Sequence, residues 1–433
     1  MSAPSKSLRI AIVGGGLGGL MAALCVHSFC DPTAIEIDVY EQASEYKEIG
    51  AGVSLGRNTL RVIKQIGLYE QTHAIAGKTN IWLSARRYDT GEEIVRIRAD
   101  GDEPSHLPVH RAEFLALLIR IIKERAAATL HPNKKCLTIE EIDDAIVLNF
   151  ADGTVTTAGL VVAADGIHSR IRQHYHNDDA QFGNMVVYRG LVPTDAIKEW
   201  WPLDTYTPIW IGPGRYFIVY PVSHGSLLNI GAFVATDGKS LKNKTESWTL
   251  RGDRFDLEQD YAEFDPTVNR LIQYLDEKPL KWILYDRPLC DKWVFASGKV
   301  ALLGDAAHAM VPHQGAGVGQ AIEDGYILGH CLRDYLNDSG SRTLEDWLTN
   351  VYQSVRLPRA QRVQTTSREN GTNLHAQSNT FKDPISEDRL KQNLQDRMQW
   401  IWADDLDTMY NNARKNMLSG GAGNASCEHS QLL

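Results

Sequence analysis

Gly14, Gly16 and Gly19 form GxGxxG inside the stretch LRIAIVGGGLGGLMAALCVHS, and Glu41 follows Gly19 by 22 residues. Glycines at that spacing let the backbone approach a pyrophosphate, and the electropositive start of the next helix, at Leu17, favours its charge. A carboxylate at that separation can take a ribose hydroxyl. Late in the chain, Leu302–Gly325 reads LLGDAAHAMVPHQGAGVGQAIEDG. Asp305 ends an apolar run; Pro312 and His313 precede glycines at 315, 317 and 319. An imidazole has a pKa suited to accepting a phenolic proton, although a histidine can equally order a loop. Arg189, in VYRG, sits in an apolar strand, where an unpaired guanidinium is costly. Either a ligand anion or a protein carboxylate must answer it. Tyr220, in IVYPV, can donate a hydrogen bond to a ligand oxygen or serve as core with a wet hydroxyl.

The elements that must carry these residues are legible. Leu8–Val13 reads as a buried strand, Leu17–Phe29 as a helix and Ile35–Tyr40 as a second strand ending at Glu41. Strand, glycines, helix, strand and acid therefore occur in the order of a dinucleotide-binding unit, and packing alone is the lesser reading of the glycines. LVVAADGIHSRIR supplies another apolar strand, then Asp165-Gly166, Ser169 and Arg172. Val300–Leu303 is a third such run, and the periodicity after it predicts a helix over Gln320–Leu332. Capping of a helix by Asp305 would not by itself call for three spaced glycines. Between Thr79 and Asp102, and between Gln181 and Asp286, β-branched and aromatic residues bounded by glycine and proline predict an antiparallel sheet. Helical periodicity returns after about residue 340. The expected organisation is a discontinuous cofactor domain (1–78, 103–180, 287–340), a sheet domain (79–102, 181–286), a helical region (341–415) and a disordered tail (416–433).

Composition narrows the class. The 433 residues suffice for two or three domains, and the net charge of −9 favours neither nucleic acid nor an anionic membrane surface. No run approaches the roughly 18 apolar residues of a membrane helix. The six cysteines lie far apart with no CxxC pair, which suggests reduced thiols and a cytoplasmic protein. No metal-ligand cluster is read. The final SQLL does not match a peroxisomal SKL signal.

GxGxxG, then DGxxSxxR at Asp165–Arg172, then GD at Gly304-Asp305, in this order, resemble the flavoprotein aromatic hydroxylases, the family of p-hydroxybenzoate hydroxylase. The resemblance implies an α/β fold: a Rossmann-like FAD-binding domain with an inserted antiparallel-sheet substrate domain and C-terminal helices. It implies that Asp305 holds the ribityl chain of FAD. Gly315, Gly317 and Val318, after Pro312, would approach the flavin pyrimidine, where a helix dipole stabilises negative charge on reduced flavin. VHRAEFLALL looks like the family's HRxxL helix start, so Arg111 would contact FAD. EIGAGVSLGRNTLRVIKQIGL, with Gly52, looks like the loop and helix beneath the flavin; Arg57-Asn58 stands where the family usually has Pro-Asn. Asp165 and Gly166 join the FAD set. NAD(P)H has no domain of its own in such hydroxylases, and no second nucleotide-binding unit is visible.

The finest likeness is to salicylate hydroxylases, through AHAMVPHQGAGVGQAIEDG, YRGLVP and WIWADD. It implies conversion of salicylate to catechol and carbon dioxide with NADH and oxygen, through a flavin C4a-hydroperoxide. The attacking oxygen is electrophilic, so a phenolate ring is needed, dry and held close. His313, Arg189 and Tyr220 are the candidates for that task, and His308 is read as structural. The implied partner is a small phenolic substrate, and the state a monomer or homodimer. Related fungal hydroxylases of resorcinol-type or hydroxybenzoate rings share the motifs. A flavin halogenase would carry an early WxWxIP, and a prenyl-lipid reductase a membrane-facing helix; neither is found. A non-hydroxylating FAD-binding protein is the remaining alternative.

Overall fold

The computed structural model describes residues 7–46, 51–77, 79–98, 106–238, 250–340, 342–374 and 380–420. A six-stranded sheet runs in the order Val294–Phe295, Val300–Leu302, Leu160–Ala163, Leu8–Val13, Ile35–Tyr40, Thr129–His131. Neighbours are parallel except the first pair. Strands covered on both faces read as continuous apolar runs, and Leu160–Ala163 is buried throughout. Helices Leu17–Phe29 and Gly317–Asn337 pack against each other and share one core with these strands.

Register is what builds the site. Val13 lies level with Ala163, and Ala163 with Leu302. Parallel strands that end together set their following loops side by side. Residues 14–16, 164–166 and 303–305 therefore form one edge. The approach is close: a Cβ on Gly14 would sit 2.2 Å from the Ala164 carbonyl oxygen, and Gly14 has φ +110°. At Gly19 a Cβ would lie 2.0 Å from the Gly14 carbonyl oxygen, which measures how tightly the first helix meets its strand.

The second sheet has seven strands, ordered Leu280–Asp286, Gln181–Pro193, Leu227–Ala235, Arg215–Val222, Pro208–Gly212, Ile81–Arg87, Glu93–Arg98. It is antiparallel save for the parallel pairing of Pro208–Gly212 with Ile81–Arg87. Side chains alternate between faces. Phe217 and Val219 enter a core shared with Leu257 and Leu271 of the short helices Arg254–Asp260 and Pro266–Ile272. Tyr216, Ile218 and Tyr220 consequently share the opposite face.

Helix Ser354–Leu374 contains Pro358 and is preceded by π-helical Leu348–Gln353. A proline inside a helix removes one hydrogen bond and crowds the carbonyl four residues back, and a widened turn just before it relieves that crowding.

Three expectations change. The glycine-rich helix is longer at both ends than its periodicity predicted, so Gly317 and Gly319 lie in its first turn. Arg57 is half-buried at the first position of helix Arg57–Gln65, the position that proline favours, so arginine replaces proline there without disrupting the turn. The tail is not disordered from residue 416: helix Leu406–Leu418 continues through it, because Met409, Ala413 and Met417 pack on the core after an Asp405 cap. Residues 48–50, 99–102, 239–249 and 421–433, covered by other sequence readings, lie outside the described residues. Among the described residues, no helix is long and apolar enough to cross a membrane.

Candidate active site

A cavity of about 380 Å³ lies between the motif loops and the inner face of the seven-stranded sheet. Gly16, Leu17, Gly166 and Asp305 line its loop side, with Gly52 and Arg111 beside them. Pro312, His313, Gly315, Gly317 and Val318 form the adjoining wall. Arg189 and Tyr220 reach it from the sheet. The other sequence candidates stand behind the wall. Gly14 and Gly19 set the strand–helix approach already described. Glu41 accepts hydrogen bonds from the Gly15 and Ala43 N–H groups, both at 2.8 Å, so it shapes the glycine loop. Asp165 accepts the Arg170 N–H at 2.9 Å. Burial raises the Asp165 carboxyl above its ordinary value despite those bonds, and its Oδ1 is buried without a partner.

The loop side fits FAD. A Cβ on Gly16, Gly166 or Gly315 would meet nothing within 4 Å, so these glycines leave open space at the wall. Helices Leu17–Phe29 and Gly317–Asn337 both begin without a side-chain cap. Their first N–H groups thus remain available to a ligand, and their dipoles favour an anion. Asp305 is exposed on the same wall. Asp305→Ala should weaken FAD binding by at least about tenfold; titration of apoprotein with FAD checks it, and native affinity would refute the placement.

A buried ionic network fixes this wall from behind, and the sequence reading missed it. Asp324 accepts the Gly304 N–H at 2.9 Å, pairs with His308 Nε2 at 2.7 Å and takes Arg356 Nε at 2.8 Å. Glu323 binds Asn58 Nδ2 at 2.5 Å, Arg356 at 2.5 Å and Arg359 at 2.7 Å. Burial opposes ionisation of both acids, but the facing cations keep both carboxyls below their ordinary values. His308 is thereby structural. The signal available in sequence was a Glu-Asp pair enclosed by AI and GYILG on a helix.

On the sheet side, Arg189 lies over the Trp282 ring at 4.4 Å and within electrostatic reach of Tyr220. No carboxylate among the described residues pairs with Arg189. Burial lowers its pKa, with Tyr220 and Tyr216 opposing, while burial raises that of Tyr220, with Arg189 opposing. Asn229, on the strand beside that of Tyr220, accepts the Gly52 N–H at 2.7 Å, which ties the sheet to the loop side. His313 is buried, and its Nδ1 pairs with Tyr216 Oη at 2.9 Å. Tyr216 was not singled out from sequence, although its spacing of four from Tyr220 in a strand puts both on one face. Arg189 thus lies within electrostatic reach of Tyr220 and Tyr216, and His313 joins them through its bond to Tyr216.

Two uncapped helix starts facing a cationic, phenol-lined sheet across one cavity suit a flavoenzyme that works on an aromatic ring. The FAD binding domain family model matches residues 7–213 and 289–367. Salicylate hydroxylase of Pseudomonas putida is 31% identical over 95% of this chain and 95% of its own. A 6-methylsalicylate 1-monooxygenase of Aspergillus terreus is 30% identical over 93% and 91%. A solved salicylate hydroxylase substrate complex superposes with a TM-score of 0.79 at 30% identity, covering 95% of this chain and 98% of that one. The chain belongs to the FAD-binding-domain family, and within it to the FAD-dependent aromatic monooxygenases.

Proposed function

We propose that this enzyme hydroxylates a phenolic acid, with salicylate the first candidate, consuming NAD(P)H and oxygen. The carrying observation is half-buried Arg189 beside Tyr220, with which no carboxylate among the described residues pairs, in a cavity whose other wall fits FAD. The two relatives named above act, by name, on ortho-hydroxylated benzoates, which supports the same substrate class. Bound FAD supplies electron transfer from NAD(P)H and oxygen activation. The chain supplies the rest. Arg189 and Tyr220 hold the substrate's phenolic oxygen and favour its ionised form. His313, oriented by Tyr216, accepts the proton. Phe233, Leu284 and Ile209 exclude water from the ring. Among the described residues five cysteines are buried free thiols, which suits a cytoplasmic enzyme.

The test is product analysis of FAD-loaded enzyme with salicylate and NADH. Catechol and carbon dioxide in equal amounts are expected; NADH oxidation yielding only hydrogen peroxide with every ortho-hydroxybenzoate would overturn the reading. Arg189→Ala should raise the substrate Kd about 10- to 100-fold with FAD content unchanged, because the ion pair precedes the chemistry. Equilibrium titration of the loaded variant decides this.

A further inference from the structure

The protein shows how it treats a buried arginine. Arg172 and Arg287 bind Asp178, and Arg356 and Arg359 bind Glu323. Each is nearly inaccessible, and each has a carboxylate. Two half-buried arginines that line the cavity have no such carboxylate among the described residues: Arg189, already discussed, and Arg397. Arg397 occupies the turn between helices Pro384–Asp396 and Gln399–Ala403. One guanidinium nitrogen donates to Asn370 Oδ1 at 3.0 Å, while Nε is buried without a partner. No carboxylate among the described residues pairs with it. Burial pushes its pKa down to about 10. A guanidinium that lines a cavity with its Nε unpartnered and no anion beside it gains from a ligand that provides one.

Its position is informative. The Tyr216 hydroxyl is within electrostatic reach of both Arg189 and Arg397. Asn370, which holds Arg397, also donates to the His313 carbonyl at 2.6 Å. Arg397 therefore sits at the His313–Tyr216 end of the cavity, while Arg189 lies within electrostatic reach of Tyr220. One phenolate leaves one of the two cations unanswered. We propose that Arg397 is a specificity-determining residue that binds the carboxylate of the aromatic substrate, leaving Arg189 and Tyr220 for its phenolic oxygen. This rests on the phenolic-acid reading above. A carboxylate between Arg397 and a ring anchored at Arg189 would fix the ring's rotation in its plane, and so choose which carbon faces the flavin.

Calorimetric titration of FAD-loaded wild type and Arg397→Met with four probes tests this: salicylate, benzoate, salicylamide and phenol. The variant should bind the two acids about 10- to 100-fold more weakly and the two neutral probes within about twofold. Equal weakening of all four would make Arg397 structural and overturn the proposal, as would unchanged affinity for the acids. If Arg397→Met does not retain FAD, Arg397→Gln keeps a donor for Asn370 while deleting the charge, and the same contrast applies. Should wild type bind phenol but neither acid, the phenolic-acid reading itself fails and the Arg397 assignment with it. Wild type that binds acids through a charge other than Arg397 leaves the broader reading standing.

Discussion

Glu323→Ala should destabilise the enzyme by about 3–5 kcal/mol, the range for removing one partner of a buried ion pair. The side chain is fully buried, and its loss leaves Arg356 with only Asp324 and Arg359 with only the partly exposed Asp404. Asn58 loses its acceptor as well. Thermal and urea unfolding of the FAD-loaded protein measure the effect, and an unchanged midpoint would refute the network's role. The pH dependence has a definite sign. Burial alone would raise the carboxyl, but Arg356 and Arg359 hold it below its ordinary 4.5. A depressed folded-state value stabilises fully above the unfolded value and is lost as pH falls through the folded one. The gap between wild type and variant should thus narrow in acid. Because Asn58 lies in the first turn of helix Arg57–Gln65 and, with Gly56, lines the cavity, FAD affinity should fall together with stability.

His313→Ala should change the fate of oxygen more than the rate of flavin reduction. Deleting a general base slows the assisted step about 10²- to 10⁴-fold. With the ring held as neutral phenol, attack fails and the oxygen leaves as hydrogen peroxide. Peroxide formed per NAD(P)H should therefore rise steeply, and partial recovery is expected at higher pH as the phenol ionises unaided. Stopped-flow reduction and peroxide assays separate the two steps. Tyr216→Phe should give the same change more weakly, since it removes the hydroxyl bonded to Nδ1 but leaves the imidazole. Coupling unchanged in His313→Ala, with only FAD content or stability lowered, would assign the residue to loop packing.

The loop side of the site was legible because each part announces itself locally. Gly14, Asp165 and Asp305 each interrupt an apolar run, and buried parallel strands must end that way. The sheet strands were legible from composition. The ionic network was not, because a Glu-Asp pair on a helix usually faces water. Its partners, Arg356 and Arg359, come from another helix, and no local pattern links the two. Arg397 was hidden for a similar reason. It lies in a polar stretch, DRMQWIWADD, whose charges look solvated, and only the chain's return over the second sheet brings it to the cavity. Tyr216 was within reach of period-two reasoning once Tyr220 had been chosen.

The level ends of the parallel strands also constrain how the molecule comes into being. The loops at residues 14–16, 164–166 and 303–305 meet only after Leu8–Val13, Leu160–Ala163 and Val300–Leu302 have all aligned. A chain emerging from a ribosome can complete that alignment only after synthesis has passed Leu302, more than two thirds of the way along the 433 residues. Contacts of such separation form late, since the intervening loops must be closed before any gain is realised. Until then a nascent chain has a glycine turn but no cradle. Capture of the flavin is thus a closing event of biogenesis, and the yellow holoenzyme is a report that the whole topology has been threaded correctly.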